Sequence, residues 1–199
     1  MLEILLAAPF VCALLIALAH RASRSVAAAI AALAPLTGLA ILASITPQVM
    51  DGEVIRSFTP WIAEAGLNLS LRIDGLAWMF AGLVLGIGLL IVLYAHYYLS
   101  PKDSAPRFFA YLMLFMGAML GMVIAGNLLL LATFWELTSI SSFLLIGFWS
   151  HRDDARKGAR MALAITGAGG LALLAGVLVL GHIVGSYELD AVLDAGDAI

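Results

Sequence analysis

The sequence predicts an all-α integral membrane protein, in which six transmembrane helices form a bundle and a short extracytoplasmic loop or hairpin joins the second to the third. Hydrophobic residues make up 63% of the 199 residues and charged residues 12%, and the mean hydropathy is +1.07. Soluble domains carry about 25% charged residues. Six apolar runs also reach the length of about 20 residues that a helix needs to cross a bilayer.

The six runs define one transmembrane unit over residues 1–185. The predicted spans cover residues 2–19, 26–45, 75–98, 108–125, 127–150 and 159–184. The first run lacks the basic start and the small-residue cleavage site of a signal peptide, so we interpret it as a retained span.

Two segments lie outside the predicted spans. Residues 46–74 form an extracytoplasmic loop, and within it residues 67–73 alternate apolar and polar side chains in LNLSLRI. This alternation predicts a short hairpin that caps the helices. Residues 186–199 predict the start of a surface helix or a linker, at which the chain is expected to be truncated.

The placement of lysine and arginine predicts the orientation in the membrane. The loops after the first, third and fifth spans carry eight basic residues: Arg21, Arg24, Lys102, Arg107, Arg152, Arg156, Lys157 and Arg160. The opposite side has Arg56 and Arg72, and it collects the acidic residues Asp51, Glu53, Glu64, Asp74, Glu188, Asp190, Asp194 and Asp197. Because basic loops stay in the cytoplasm, we expect a multi-pass protein of the cell membrane with an extracytoplasmic N-terminus.

One acidic residue, Glu136, lies in the interior of the fifth predicted span. It follows Asn127 by nine residues, which is about 14 Å along a helix and close to the middle of a hydrocarbon core of about 30 Å. A charged carboxylate at that depth costs about 3 kcal/mol. Glu136 is therefore uncharged, paired with a cation or in contact with internal water, and it is a candidate proton-binding residue. The alternative is a structural acid that holds helices together by hydrogen bonds.

Hydroxyl side chains surround this acid along the helix. Thr133 and Ser139 lie one turn before and after Glu136, and Thr138 lies on an adjoining face. Hydroxyl groups both donate and accept hydrogen bonds, so these three residues are predicted to belong to the same proton pathway. The predicted spans supply no basic partner for Glu136 at its depth.

Four further residues are candidates for the proton pathway. His182 lies in the last turn of the sixth span, and an imidazole titrates near neutral pH. His151, Asp153 and Asp154 lie at the predicted cytoplasmic end and form a candidate site of proton uptake. The alternative for this basic and acidic cluster is simple anchoring of the helix end at the membrane surface.

Several other kinds of function are excluded by the sequence pattern. The glycines at 167, 169 and 170 lie within a span and follow no strand, so they predict helix packing and not a nucleotide-binding loop. The single cysteine, Cys12, and the spacing of the histidines and carboxylates give no metal site. We therefore expect no cofactor, no metal, no nucleic-acid partner and no hydrolytic enzyme.

The residues around Glu136 resemble a known family. The run FWELTSISSFLLIGFW at 134–149 resembles the fifth-helix motif of the antiporter-like subunits that respiratory complex I shares with Mrp-type multisubunit cation/proton antiporters. Residues 115–131 and 151–193 resemble the Mrp A subunit in particular. The run ITGAGG at 165–170 stands where complex I relatives usually carry an Asn-Arg-Val-Gly-Asp-like sequence.

The resemblance implies a function and a partner for Glu136. In that family the matching glutamate is essential for proton translocation and pairs with a lysine on the seventh helix, which here would lie beyond Ile199. The resemblance further implies an N-terminal portion of a subunit that works with other subunits of a membrane complex, exchanges protons for Na⁺ or K⁺ and needs no redox cofactor. Two alternatives remain: a proton-pumping subunit of a complex I-like NADH:quinone or hydrogenase complex, and a non-transporting membrane scaffold.

Overall fold

The computed structural model describes residues 1–196, so the last three residues of the predicted tail, 197–199, lie outside the described residues. In chain order the long helices are α1 (Leu2–Leu18), α2 (Arg24–Met50), α3 (Gly75–Tyr98), α4 (Ala105–Val123), α5 (Leu128–Ile146) and α6 (Asp153–Val184). Strands β1 (Ile55–Ile62) and β2 (Leu67–Ile73) lie between α2 and α3 and flank one turn of 3₁₀-helix, and a short helix α7 (Leu189–Asp194) follows α6.

Within residues 1–196, five helices are long and apolar enough to cross a membrane, namely α2 to α6. The protein is therefore a mostly helical, multi-pass membrane protein. Helix α1 is apolar but has 17 residues, which gives a length of about 26 Å against a hydrocarbon core of about 30 Å. The crossing of the membrane by α1, and with it the count of six spans, stays a prediction.

Several helix ends differ from the predicted spans: α2 runs to Met50, α4 begins at Ala105 and α5 ends at Ile146. At the starts of α5 and α6 the reason is local. Helix α5 begins at Leu128, because the side chain of Asn127 caps it by accepting from the backbone N–H groups of Leu129 and Leu130. Helix α6 begins at Asp153, six residues before the predicted span at 159–184. Acidic residues in a first turn stabilise a helix N-terminus, so α6 extends beyond its apolar part.

Helix α4 lies at the centre of the bundle and packs against α1, α2, α3 and α5. Its side chains Phe109 and Met113 are fully buried. Helix α6 lies at the edge, where among the described elements it packs mainly on α5. Helix α5 therefore has the core of the bundle on one side and α6 on the other.

The two strands form an antiparallel hairpin, with Ile55 paired to Ile73 and Arg56 paired to Arg72. The register is irregular between Thr59 and Ile62, where Pro60 lacks a backbone N–H for the ladder. The hairpin shape is the one that the alternation in 67–73 predicts. Its location on the extracytoplasmic side stays a prediction.

The connection between α4 and α5 passes through the hairpin end of the molecule. The N–H of Gly126 donates to the carbonyl of Ser70 at 2.7 Å, and its carbonyl accepts from Leu189 at 2.8 Å. A Cβ atom at Gly126 would lie 2.8 Å from Ser70 Oγ and 3.3 Å from the Ser70 carbonyl carbon. Only glycine permits this close approach of three backbone segments, so the connection is held between β2 and α7.

The three basic loops meet at the other end of the bundle. Arg24 donates to the carbonyl of His96 at 3.4 Å, Arg107 donates to the carbonyl of Phe148 at 2.9 Å, and Trp149 donates to Asp103 at 2.9 Å. These contacts join the loops after α1, α3 and α5. The molecule therefore has a basic end and a hairpin end, and the assignment of the basic end to the cytoplasm stays a prediction.

Candidate functional site

Glu136 lies in the contact between α5 and α6. The residue is half-buried, and its Oε1 atom is buried with no hydrogen-bond partner among the described residues. The carboxyl group rests on Gly170 of α6, where an added Cβ would overlap Oε1 and lie 2.8 Å from Cδ. The acid therefore occupies the space that a side chain on α6 would otherwise fill.

Trp135 borders the same space from the other side. Its Cδ1 atom would lie 3.1 Å from a Cβ atom at Gly170, and the indole is 36% exposed on the outside of the described bundle. The carboxyl group of Glu136 therefore lies against Gly170, with a buried and unpartnered Oε1, and the Trp135 ring lies beside the same glycine.

The three hydroxyl groups predicted for the pathway donate to carbonyls of their own helix. Thr133 donates to Leu129 at 2.8 Å, and Thr138 and Ser139 donate to Trp135 at 2.6 and 3.4 Å. Such bonds to the preceding turn are usual for hydroxyls within helices. Within residues 1–196 no hydrogen bond joins them to Glu136, and what they present to a neighbour is the acceptor side of the hydroxyl oxygen.

His182 lies apart from Glu136. It is exposed in the last turn of α6, twelve residues beyond the Gly170 that touches the acid. That separation is about 18 Å along a helix, so the structure does not bring these two predicted residues together.

The cluster at the start of α6 is ion-paired and exposed. Arg152 binds Asp154 at 2.6 Å, and Arg156 binds Asp153. His151 lines an open cavity of about 590 Å³ at the basic end. Further residues around that cavity are Lys102, Asp103, Ser104, Arg107, Phe148 and Trp149. The two aspartates are thus held by arginines near the surface, and Glu136 is not among their contacts.

At the hairpin end, Asn127 organises a cluster of polar contacts that the sequence did not indicate. The residue is 1% exposed, and its amide nitrogen donates to the carbonyl of Gly66 at 2.9 Å and to Glu188 Oε1 at 2.8 Å. Asn68 donates to the same Glu188 oxygen at 3.0 Å. We call Gly66, Asn68, Asn127 and Glu188 the outer cluster, and it joins the hairpin, the start of α5 and the start of α7.

A second group of contacts attaches α7 to the hairpin. Arg56 and Arg72 both donate to Asp190, at 2.6 and 2.9 Å. The hydrogen bond from Arg56, followed by that from Arg72, holds the pKa of Asp190 below its usual value. Among the described residues no group of three or more His, Cys, Asp or Glu side chains is placed to hold a metal ion.

Two family models match most of this chain. Residues 61–109 match the model described as NADH-ubiquinone oxidoreductase (complex I), chain 5 N-terminus. Residues 125–198, which include Glu136 and Gly170, match the model described as NADH:quinone oxidoreductase/Mrp antiporter, TM. The chain belongs to the antiporter family, whose membrane subunits are shared by NADH:quinone oxidoreductases and Mrp antiporters.

Relatives within the antiporter family are named as antiporter subunits. The chain is 58% identical over 159 residues to the probable A/B subunit of a K⁺/H⁺ antiporter of Rhizobium meliloti, covering 80% of this chain and 16% of that protein. It is 42% identical over 191 residues to the putative antiporter protein mnhA2 of Staphylococcus epidermidis, covering 96% and 24%. It is 42% identical over 149 residues to the A subunit of a Na⁺/H⁺ antiporter of Alkalihalophilus pseudofirmus, covering 74% and 18%.

Two solved structures share the fold of this chain. A chain of the Mrp complex from Dietzia sp. DQ12-45-1b superposes with a TM-score of 0.83 at 28% identity, covering 96% of this chain and 20% of that chain. A chain of an archaeal membrane-bound sulfane sulfur reductase superposes with a TM-score of 0.80 at 23% identity, covering 95% and 29%, and that likeness concerns the fold alone. The chain thus spans about a fifth of the length of the curated relatives it matches.

Gly170 is the residue of this site that sequence reasoning missed. The sequence singled out three glycines at 167, 169 and 170 as a packing patch. Which of them faces the acid depends on the rotation of α6 against α5, and no spacing within α6 contains that information. The sequence indicated only that Glu136 has a long side chain, which needs a small residue opposite it on a neighbouring helix.

Proposed function

We propose that this chain is part of the A subunit of a Mrp-type antiporter, in which protons are exchanged for Na⁺ or K⁺ and Glu136 carries the proton. The observation that carries the proposal is the buried, unpartnered Oε1 of Glu136 in the segment that matches the antiporter model. The names of the relatives, which are K⁺/H⁺ and Na⁺/H⁺ antiporter subunits, support this exchange over catalysis.

The position of the acid suits a relay between the two faces of the membrane. Helix α5 has 19 residues, and Glu136 is the ninth of them, so a proton on its carboxyl group lies about halfway along the helix. We infer that protons reach it from the basic, cytoplasmic end or from the side of the subunit. They continue along water held between the helices, because the hydroxyls of α5 offer acceptor oxygens along its length.

The unpartnered oxygen also supports a contribution from outside the described residues. A carboxylate at this depth needs a cation, a hydrogen-bond donor or a proton, and within residues 1–196 Oε1 has no donor. The resemblance to the family implies a lysine on a seventh helix, and the free oxygen is the place where such a group would bind. We propose that the working unit is a hetero-oligomeric membrane complex, with the N-terminus of this chain on the extracytoplasmic side.

The test is the replacement Glu136→Gln in the complete antiporter complex, assayed in membrane vesicles with a fluorescent pH dye. Adding Na⁺ or K⁺ to energised vesicles should release protons from the normal complex. The variant should lose exchange by about 100-fold or more, as proton-transfer groups do. The matched control is Glu64→Gln, which neutralises an exposed acid in the hairpin and should leave exchange unchanged.

Assembly of the complex has to be measured beside transport. If Glu136→Gln exchanges ions at the normal rate, the proposal fails, and the alternative of a non-transporting scaffold is supported. If the complex does not assemble in this variant, the acid has the structural role that the sequence left open, and a proton-carrying role is not supported.

The second candidate is a proton-pumping subunit of a complex I-like oxidoreductase. It is favoured by the model that matches residues 61–109, which is described by complex I chain 5. Purification of the native complex decides between the two. Copurified flavin or iron–sulfur subunits would support the oxidoreductase, whereas cation-dependent proton release in their absence would support the antiporter.

A further inference from the structure

We propose that Gly170 is a positioning residue for the proton-carrying group. Because glycine has no side chain, it leaves the space in which the Glu136 carboxyl group lies. This inference rests on the proposed function of Glu136. It adds to that function a residue on a different helix, which binds no proton and determines where the acid is held.

The steric evidence comes from the atoms that surround Gly170. The residue is buried, in a helix where few residues are. A Cβ atom at this position would overlap Glu136 Oε1, lie 2.8 Å from Glu136 Cδ and lie 3.1 Å from Trp135 Cδ1. Ordinary contacts of a Cβ atom are 3.4–4 Å. The carboxyl group and a methyl group therefore cannot both occupy this part of the α5–α6 contact.

Neighbouring glycines of α6 show that this opening is specific to one position. A Cβ atom added at Gly167, Gly169 or Gly176 would meet no atom within 4 Å among the described residues. These glycines have the same helical backbone and the same chemistry as Gly170, but they do not face the acid. They are therefore matched controls for the conformational effect of replacing a glycine in α6.

Replacement of Gly170 by alanine is expected to move the acid and to leave the helices in place. The overlapping atom is the far end of a flexible side chain, which rotates at low cost, and it is not backbone. Within residues 1–196 Oε1 makes no hydrogen bond that the movement would break. Alanine also has a higher helix propensity than glycine. The fold should therefore tolerate the change, and the loss should fall on proton transfer.

Proton transfer depends strongly on the position of the carboxyl oxygen. A donor and an acceptor have to approach to about 2.6–3.2 Å, and a misplacement of about 1 Å can cost a factor of about 100 in rate. To clear a methyl group with which it overlaps, Oε1 has to move by more than that. Gly170 thus acts on the proton through Glu136, and its effect should disappear when the acid no longer reaches it.

The experiment compares Gly170→Ala with Gly169→Ala in the complete antiporter complex, in the same vesicles and with the same pH dye. Gly170→Ala should reduce exchange by about 10-fold or more, while Gly169→Ala should stay within about 2-fold of the unchanged protein. Both complexes should assemble to the same yield. Labelling of Glu136 by dicyclohexylcarbodiimide, followed by mass spectrometry of its peptide, should be severalfold faster in Gly170→Ala, because the carboxyl group leaves the α5–α6 contact.

A double substitution separates positioning from packing. Glu136→Asp shortens the side chain by one carbon–carbon bond, about 1.5 Å, so the carboxyl group no longer reaches Gly170. On that background, Gly170→Ala should leave the rate of carbodiimide labelling at position 136 unchanged. When the effects of two substitutions do not add in this way, the two residues interact directly.

The outcomes distinguish this inference from the function on which it rests. Equal exchange and equal labelling in the two alanine variants would overturn the positioning role of Gly170, and so would an equal loss of exchange with unchanged labelling of Glu136. Normal exchange in Glu136→Gln would overturn the proposed function itself, whatever the glycine variants do.

Discussion

Helices α4 and α6 are both apolar, but they are held in the molecule in different ways. Helix α4 has ten buried residues among 19 and is surrounded by four helices. Helix α6 has four buried residues among 32, and large apolar side chains such as Met161, Ile165 and Leu171 are exposed on it. In a bilayer such exposure is not costly, because lipid is as apolar as the side chains. A narrow line of contacts is therefore enough to place α6.

The glycines of the two helices show what each contact is for. A Cβ atom at Gly121 of α4 would lie 2.5 Å from the ring of Phe134, and one at Gly117 would lie 2.8 Å from the ring of Phe10. At Gly170 of α6 the neighbour is a carboxyl group. The first two glycines allow aromatic side chains to pack, whereas the third makes room for a titratable group. Glycine thus allows core packing in α4, whereas in α6 it leaves room for the candidate site.

The largest structural effect is expected from Gly121→Val in α4. The Phe134 ring already fills the space beside Gly121, so the larger side chain should destabilise the bundle by about 1–3 kcal/mol. Thermal unfolding of the purified complex in detergent should show a lowered midpoint. The control is Gly86→Val in α3, where a Cβ atom meets nothing within 4 Å. Equal midpoints for the two variants would remove the distinction between packed and open glycines.

A smaller effect is expected from Asn127→Ser, which tests how the start of α7 and the hairpin are attached to α5. Serine keeps an oxygen for the helix cap but removes the amide that donates to Gly66 and Glu188. The loss of these bonds should destabilise the hairpin end by about 1–2 kcal/mol. Hydrogen exchange should accelerate in residues 128–130 and 186–192 and stay unchanged in α4.

The matched control for this change is Asn68→Ser. Asn68 shares the Glu188 acceptor but makes no bond to the carbonyl of Gly66, so its replacement should accelerate exchange less. If both variants behave alike, the bond from Asn127 to Gly66 contributes nothing beyond the shared acceptor. If α4 exchanges faster as well, the two regions are not independent.

The smallest effect is expected at low pH, where protonation of Asp190 should weaken the attachment of α7. Its pKa is held below the usual value by the hydrogen bond from Arg56 and then by that from Arg72. A carboxyl group whose folded pKa is depressed contributes stability above its unfolded pKa of about 3.9, and that stability is lost as the pH falls through the folded value. The attachment of α7 should therefore be constant near neutral pH and weaken below about pH 4.

The magnitude of this acid effect is limited by solvent. Asp190 and Arg56 are 41% and 53% exposed, and water screens an exposed ion pair so that it contributes little to stability. Hydrogen exchange of residues 189–194, corrected for the intrinsic rate at each pH, should show a small change. Asp190→Asn should abolish the pH dependence while the outer cluster stays protected. A pH dependence that persists in this variant would assign the effect to another group.

Much of the helical architecture could be predicted because the bilayer requires it. A helix that satisfies its own backbone hydrogen bonds is the simplest way to place an apolar run in lipid, so each run of the sequence marked a helix. Polar residues then decided the ends: Asn127 began α5 and Asp153 began α6. The alternation in 67–73 predicted the hairpin, because a period of two residues is specific to strands.

The contacts between segments could not be predicted in the same way. Glu136 could be predicted as a site residue from the cost of an acid in lipid. Its contact with Gly170 depends on how α6 is rotated against α5, which the sequence does not show. The place of Gly126 between β2 and α7 depends on two segments far away in the chain. The candidate His182 lies on the same helix as Gly170, but about 18 Å from it along the axis. The depth of a residue in the membrane can be predicted from its own helix, whereas its contacts depend on how two segments pack together.

The position of Asn127 in the chain has a consequence for synthesis. Its amide bridges two acceptors at equal sequence distances, Gly66 that comes 61 residues earlier and Glu188 that comes 61 residues later. When the ribosome has just made α5, the first acceptor already exists and the second does not. Until α6 and the residues after it have been made, only the bond from Asn127 to Gly66 can form, so the bond to Glu188 at the start of α7 follows the synthesis of α6.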